Sequence, residues 1–540
     1  MGKLYYGDNL DVMRKYVKDE TVDLVYLDPP FNSQANYNVL FREKSGAQSA
    51  SQISAFSDFW EWDLTAMETL NSLLEDQKIP ERVTRTINNM VLTLGRNAMS
   101  AYLVMMTARF LELRRVMKRT GSIYLHCDPT ASHYLKVVMD SIFGNENFVN
   151  EIDWKRSAAH SDAKQGSKHY GRIHDILLFY SKSENYTWNQ QYTPHDPDYV
   201  NEFYKHVDED SGRRYQLTDL TGPGGEAKGN PKYELMGVTR YWRYSKENMD
   251  DLVRQGRIVQ TSPGAVPRYK RYLDEMPGVP LQDMWADIHP VSSQSYERLG
   301  FPTQKPVALL ERIIQVSSNK GDIVLDPFCG CGTTIHAAQK LGREWIGIDI
   351  THLAINLIKN RLTDAFHLAP EIYGEPQDLE SAKALALQNR YQFQWWALSL
   401  IGGRPVGNEK KKGADRGIDG VLYNHSGDKL FTGIVQVKSG HVKSGDVRDL
   451  RGVMERENSD YAIFITLEEP TDEMRKESLA AGFLKTAWGE NMPKIQIATI
   501  EGLLSGEKPD QPSPPGVFER AQKERTAPKK TGADTSLESL

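Results

Sequence analysis

The chain has few of the residues that staple or anchor a protein. Three cysteines among 540 residues, two of them in one glycine turn, give no disulfide framework and point to a reducing cytoplasm. No apolar run approaches membrane-spanning length, and Met1-Gly2-Lys3-Leu4-Tyr5-Tyr6 holds no apolar signal core, so no membrane partner is expected. Net positive charge is lacking too. At −6 the chain does not bind nucleic acid by bulk charge, and any surface for a polyanion must be a local basic patch. Cys329 and Cys331 form a Cys-x-Cys without His or Cys partners, which is a poor zinc site; small residues filling a turn is the better reading. What remains is the composition of a soluble globular protein, 39% hydrophobic and 26% charged, long enough for three or four domains.

Two short motifs carry most of the information. Asp28-Pro29-Pro30-Phe31 follows the apolar run Val22–Leu27, and Asp326-Pro327-Phe328-Cys329-Gly330-Cys331-Gly332-Thr333-Thr334 follows residues 323–325. Each run reads as a buried strand leading into a turn. Strand and helix patterns alternate elsewhere: a long apolar helix over 91–118, a strand from Gly121 to Asp128, a helix over 129–144 and a strand over 175–181. After a polar, aromatic stretch, the strand–turn–helix pattern resumes at Gly321 and runs through Glu344–Asp349 and a helix over 351–362. The alternation predicts an α/β fold with a mostly parallel sheet, written in two pieces around an insertion.

The first motif suits an amino group on a planar base. Its nitrogen lone pair is delocalised into the ring, so acceptors for both N–H hydrogens would localise it and make it nucleophilic. Asp28 supplies a carboxylate and Pro29 a carbonyl, with Pro30 fixing the backbone, and Phe31 offers a face on which an extruded base can stack. Asp-Pro-Pro could also merely end a strand. In the second motif Gly330 and Gly332 remove side chains where a cofactor would approach the backbone, and Asp349 ends the next strand where it could accept ribose hydroxyls. That layout also suits a dinucleotide-binding dehydrogenase.

Together, and in this order, the motifs resemble the amino-methylating DNA methyltransferases of the permuted (β-class) type over about residues 4–362, including type III modification subunits. The resemblance implies a doubly wound, Rossmann-like sheet with S-adenosyl-L-methionine as cofactor. Asp8 (in Gly7-Asp8-Asn9-Leu10), Lys305 (in Thr303-Gln304-Lys305-Pro306), Asp326, Phe328, Gly330, Gly332 and Asp349 would then bind it. It further implies adenine N6 as the target, because Asp28 opens the catalytic motif, and double-stranded DNA with base flipping as the partner. A homodimer is left open. Leu125-His126-Cys127-Asp128 resembles the family's next strand, where His126 and Asp128 could equally be satisfied polar residues.

The insertion between the motifs is the natural place for target recognition. Lys155, Arg156, Lys164, Lys168 and Arg172 cluster in one loop. Arg213, Arg214, Arg240, Arg243, Arg268, Lys270 and Arg271 alternate with Tyr215, Tyr241, Trp242, Tyr244, Tyr269 and Tyr272, a mixture suited to phosphates, guanine edges and an extruded base.

Beyond Leu368 a helix is expected over 379–401 and strands over 417–423, 433–438 and 461–466. Asp419 on one strand and Gln436-Val437-Lys438 on its neighbour resemble the Mrr-like branch of the PD-(D/E)xK nucleases. The alternation puts Gln436 and Lys438 on one face. By that resemblance Asp419 and Gln436 would bind Mg²⁺ and Lys438 would steady the attacking hydroxide or the phosphate. Gln394 stands where the supporting helix usually has an acid, and Asp415 is the nearest substitute.

The expected organisation is a methyltransferase catalytic half over 1–182, a target-recognition insertion over 183–300, a cofactor-binding half over 301–368, an α/β restriction-endonuclease-like domain over 369–505 and a disordered tail over 506–540. Methyl transfer should need only the sheet completed by about Leu362, so the second domain should be separable. Alternatives are a cytosine-N4 methyltransferase whose C-terminal domain only binds DNA, and an RNA base methyltransferase.

Overall fold

The computed structural model describes residues 2–30, 36–39, 53–57, 62–157, 168, 170–292, 295, 297–299, 301, 303–405, 417–426, 429–485 and 491–512. Phe31, Lys164, Asp415 and the last 28 residues of the expected tail (513–540) lie outside that set.

A nine-stranded sheet dominates. Its order is Met284–Trp285, Phe148–Lys155, His174–Ser181, Met117–Cys127, Val22–Leu27, Ile323–Asp326, Glu344–Asp349, Lys3–Tyr6 and Glu371–Tyr373. Only His174–Ser181 runs antiparallel to its neighbours; every other pairing is parallel. Helices cover both faces, which is why the central strand Val22–Leu27 is buried at every position rather than at alternate ones. Val25, Leu27, Leu325 and Ile348 share a core with Leu103, Phe110 and Leu135 from the helices Ala98–Val116 and Ser132–Phe143. On the opposite face Gly347 sits against Ile335 of helix Thr333–Lys340. Asp23, the one charge in the central strand, accepts from Lys118 Nζ at 2.8 Å and from the Ile323 amide at 2.9 Å.

Local chemistry moved several boundaries. The expected helix over 91–118 is two helices, Glu81–Leu94 and Ala98–Val116, parted at Gly95 (φ 78°) with Asn97 capping the second through Ser100 N. The expected helix over 379–401 likewise breaks at Asn389, whose Oδ1 accepts from Tyr391 N and Gln392 N and starts Arg390–Leu400 afresh.

The C-terminal sheet has five strands, ordered Arg404–Pro405, Gly420–Ser426, Lys429–Lys438, Tyr461–Thr466 and Ile495–Thr499. Phe393, Trp396 and Ala397 of helix Arg390–Leu400 pack under it with Leu422, Val435 and Ile463. Val447, Leu450 and Met474, from helices Ser444–Arg456 and Asp472–Ala480, cover its other face with Ile434 and Phe464. The expected tail begins later than 506: Asp510 N and O bond with the Gln496 side chain, and Gln511 Oε1 accepts from Asn424.

Gln190–Gln282 forms a compact unit of its own. It holds a four-stranded antiparallel sheet (Ile258–Val259, Arg268–Tyr272, Arg214–Asp219, His206–Val207) and a small core of Leu220, Leu235, Trp242, Met249 and Ile258. Among the described residues no helix is long and apolar enough to cross a membrane.

Candidate active sites

The two motifs meet because their strands are neighbours. The strands pair in parallel, with Leu24 opposite Val324 and Val25 opposite Leu325, so Asp28 and Asp326 emerge at the same, carboxyl edge of the sheet. That edge is where open α/β sheets bind their ligands. Pro29 and Pro30 follow directly, and the Asp28 carboxylate is ion-paired with Lys305.

The glycine turn is closed on both sides. Gly330 (φ 48°) and Gly332 (φ 71°) are left-handed. A Cβ on Gly330 would lie 3.3 Å from Phe301, and one on Gly332 would lie 2.6 Å from Ile358. Only glycine suits these positions. Asp326 Oδ1 accepts from Phe328 N at 3.0 Å, and burial pushes its carboxyl up to about 7, helped by Asp28 and Asp349 nearby. Asp349 accepts from Gly330 N at 2.9 Å through Oδ2, and from Thr351 N and Oγ1 at 2.9 and 2.8 Å through Oδ1. Burial raises its pKa. Asp349 therefore already braces the turn, and only its remaining lone pairs are open to a ribose. Asp8 is similarly engaged: Oδ1 caps helix Asn9–Tyr16 through Leu10 N, and Oδ2 pairs with Arg109 at 2.7 Å.

Two groups of supporting residues escaped the sequence reading, and a third surrounds His126, whose role that reading left open. Asn9 Nδ2 donates to Pro327 O at 2.8 Å, and Arg109 Nε donates to Asn9 Oδ1 at 2.6 Å, tying the first turn to the glycine turn. Arg361, nearly fully buried, donates to Cys331 O at 3.0 Å and Thr333 Oγ1 at 3.2 Å. An arginine amid buried apolar neighbours in each helix was the available signal. Behind Asp28, Tyr26 OH meets His126 Nδ1 at 3.0 Å and His126 Nε2 meets Asp175 Oδ2 at 3.1 Å. Burial alone would raise the Asp175 carboxyl, but the bond to His126 and the nearby cations hold it below the ordinary range.

In the C-terminal domain the register sets Asp419 beside Gln436, since Gly420 pairs with Val435 and Asp419 N donates to Val435 O. Asp419 Oδ2 accepts from Val437 N at 2.7 Å and Oδ1 from Gln394 Nε2 at 3.2 Å. Gln436 Oε1 is buried with no hydrogen-bond partner. A carboxylate beside an unpartnered amide oxygen is the hard, oxygen-only donor set that Mg²⁺ takes while keeping several waters. Among the described residues no group of three or more His, Cys, Asp and Glu could hold a metal. Lys438 Nζ lies 3.7 Å from Asp446 Oδ1.

Many basic residues expected to face nucleic acid also bond within the chain, and of these Arg156, Arg214 and Arg243 remain exposed. Arg156 pairs with Asp175 at 3.0 Å, Arg213 with Asp274 and Glu275, and Lys270 with Asp208. Arg214 donates to Tyr204 O and Arg243 to Thr221 O. Trp242 is fully buried core and Tyr272 is buried. Lys155, Lys168, Arg172, Arg240, Arg268 and Arg271 are exposed.

The two motifs thus share one sheet edge, and the second domain sets Asp419 beside Gln436. Residues 22–360 match the DNA methylase family N6_N4_Mtase, and the chain belongs to it. Residues 393–485 match Mrr_cat, a restriction endonuclease family. The chain is 33% identical over 265 residues to the type II methyltransferase M.EcaI of Enterobacter cloacae, covering 48% of this chain and 57% of that protein. It is 27% identical over 353 residues to the type III StyLTI Mod subunit of Salmonella typhimurium, covering 63% and 50%. The chain thus spans about half the length of these curated relatives. A solved M1.HpyAVI–SAM complex is similar with a TM-score of 0.30 at 16% identity, covering 67% of this chain and 99% of that one.

Proposed function

We propose that the chain methylates adenine N6 in double-stranded DNA, using S-adenosyl-L-methionine. The supporting observation is the adjacency of strands Val22–Leu27 and Ile323–Asp326, which brings Asp28 and the glycine turn to one edge from opposite ends of the domain. The left-handed turn at Gly330 and Gly332, with the Asp349 carboxylate against it, suits a nucleoside cofactor lying along the backbone. When bound, S-adenosylmethionine supplies a methyl already activated by its sulfonium. Asp8, Lys305, Asp326, Phe328 and Asp349 would hold or brace that cofactor, and Lys305 is also ion-paired with Asp28. Asp28 and the Pro29 carbonyl would accept the two N–H hydrogens of a flipped adenine. We assign target recognition to the insertion, with Arg240, Arg268 and Arg271 as exposed candidates.

In the same reading the C-terminal domain cuts DNA with Mg²⁺ held by Asp419 and Gln436, while Lys438 orients the attacking water or the phosphate. Base-resolved sequencing of DNA from cells expressing the chain tests the first part. N6-methyladenine at one position of a recurring sequence is expected; N4-methylcytosine would overturn the choice of base, and unmodified DNA the activity.

A further inference from the structure

Helix Arg390–Leu400 belongs to the nuclease-like domain, yet part of it does not face that domain. Phe393, Trp396 and Ala397 are buried under the five-stranded sheet, and Gln394 reaches Asp419. Gln392 and Trp395, three residues apart and so on one side of the helix, meet the methyltransferase fold instead. Gln392 Oε1 accepts from Tyr6 OH at 3.2 Å. Trp395 packs against the buried cluster Leu299, Phe301, Cys331, Leu353 and Leu357.

Every one of these partners is a step from the cofactor cradle. Cys331 lies between the two left-handed glycines, and Phe301 stands against the place a Gly330 Cβ would take. Leu299 N donates to Gln304 Oε1 at 2.8 Å, beside Lys305. Leu353 and Leu357 sit on helix His352–Phe366, just after Asp349. Tyr6 precedes Gly7 and Asp8, and its ring stacks on His352 at 3.7 Å. A turn whose glycines carry no side chains is held in shape by what packs behind it. Here that packing is completed by the other domain.

We propose that Trp395, assisted by Gln392, is a positioning residue for methyl transfer. It holds Phe301 and Cys331 so that the glycine turn keeps the form that receives the cofactor, and the fold over 1–368 alone is an incomplete cofactor site. This rests on the reading of that turn as the S-adenosylmethionine site. It also replaces the expectation that the second domain is simply separable.

Calorimetry and methyl-transfer kinetics on the full chain test it. Loss of one packed aromatic contact, about 1–1.5 kcal/mol, corresponds to roughly tenfold in affinity. Trp395→Ala should therefore raise Kd and KM for S-adenosylmethionine about tenfold, with kcat at saturating cofactor nearly unchanged. Trp395→Phe should restore most of the affinity, and Tyr391→Ala, on the exposed side of the same helix, should match wild type. Tyr6→Phe, which loses only the hydroxyl donated to Gln392, should weaken binding by a smaller factor. If Trp395→Ala fails to fold by circular dichroism, Trp395→Leu reads the same quantity. Kd and KM within twofold of wild type in the folded variants, or a fall in kcat at unchanged KM, would overturn the inference while leaving the cofactor site standing. A wild-type chain that binds no S-adenosylmethionine would overturn the site reading and the inference with it.

Discussion

Lys305 and Asp28, 277 residues apart in the chain, form an ion pair at the carboxyl edge of the nine-stranded sheet. The pair joins the segment upstream of the glycine turn to the Asp-Pro-Pro motif, and both side chains are largely shielded from solvent. The ammonium thus orients the carboxylate proposed to receive the target amine.

Lys305→Met removes that orientation while preserving most of the stem. A hydrogen bond to a charged group contributes about 1.5–3 kcal/mol, so transfer should fall roughly 10–100-fold. Single-turnover methyl transfer at saturating DNA is the measurement. An unchanged rate would mean that the pair has no part in the reaction.

The buried Asp326 carboxyl titrates near pH 7. Its folded pKa is raised above the value of an unfolded aspartate, so the folded chain keeps a proton that the unfolded chain has released. The associated stability is fully present below about pH 4 and is lost as pH rises through about 7. Asp326→Asn, still able to accept from Phe328 N, should lose that slope and be relatively more stable at pH 8. Thermal melts across pH 4–8 on both proteins report it.

Arg109 links Asp8 and Asn9, and through Asn9 the Pro327 carbonyl. Arg109→Leu leaves the buried Asn9 Oδ1 unmet at about 1–3 kcal/mol and strips the half-exposed Asp8 of its partner. A lower Tm together with weaker S-adenosylmethionine binding is expected. A lower Tm with unchanged binding would confine Arg109 to folding.

In the nuclease-like site Gln394 donates to the Asp419 carboxylate. Gln394→Glu would set two carboxylates together, which repel without a cation and bind one more tightly. The variant should be less stable than wild type in chelator and gain more Tm from Mg²⁺. Lys438→Ala should abolish cleavage and leave methylation intact.

Much of this was legible in the sequence where one residue type serves one purpose. The run Val22–Leu27, apolar but for Asp23, announced a buried strand, and Gly330 and Gly332 announced a turn without side chains. Alternation in Gln436-Val437-Lys438 showed that Gln436 and Lys438 share a face of their strand. Long-range polar partnerships were illegible. Nothing local says that Arg156 will meet Asp175 or that Arg213 will lie over Tyr272, so these cations read as a nucleic-acid surface. Asn97 and Asn389 were hidden for another reason: a cap inside a helix-rich stretch is visible only when its side chain is seen to bond the following amides. Trp395 sat in an aromatic run that reads as one domain's core, and only the fold shows that it faces the other.

The most direct test of the account compares wild type with Asp28→Ala for transfer of labelled methyl from S-adenosylmethionine to double-stranded DNA, with cofactor binding measured alongside by calorimetry. The account predicts methyl on adenine N6 from wild type, none from Asp28→Ala, and nearly equal cofactor affinity in both. Sustained methyl incorporation by Asp28→Ala would contradict it.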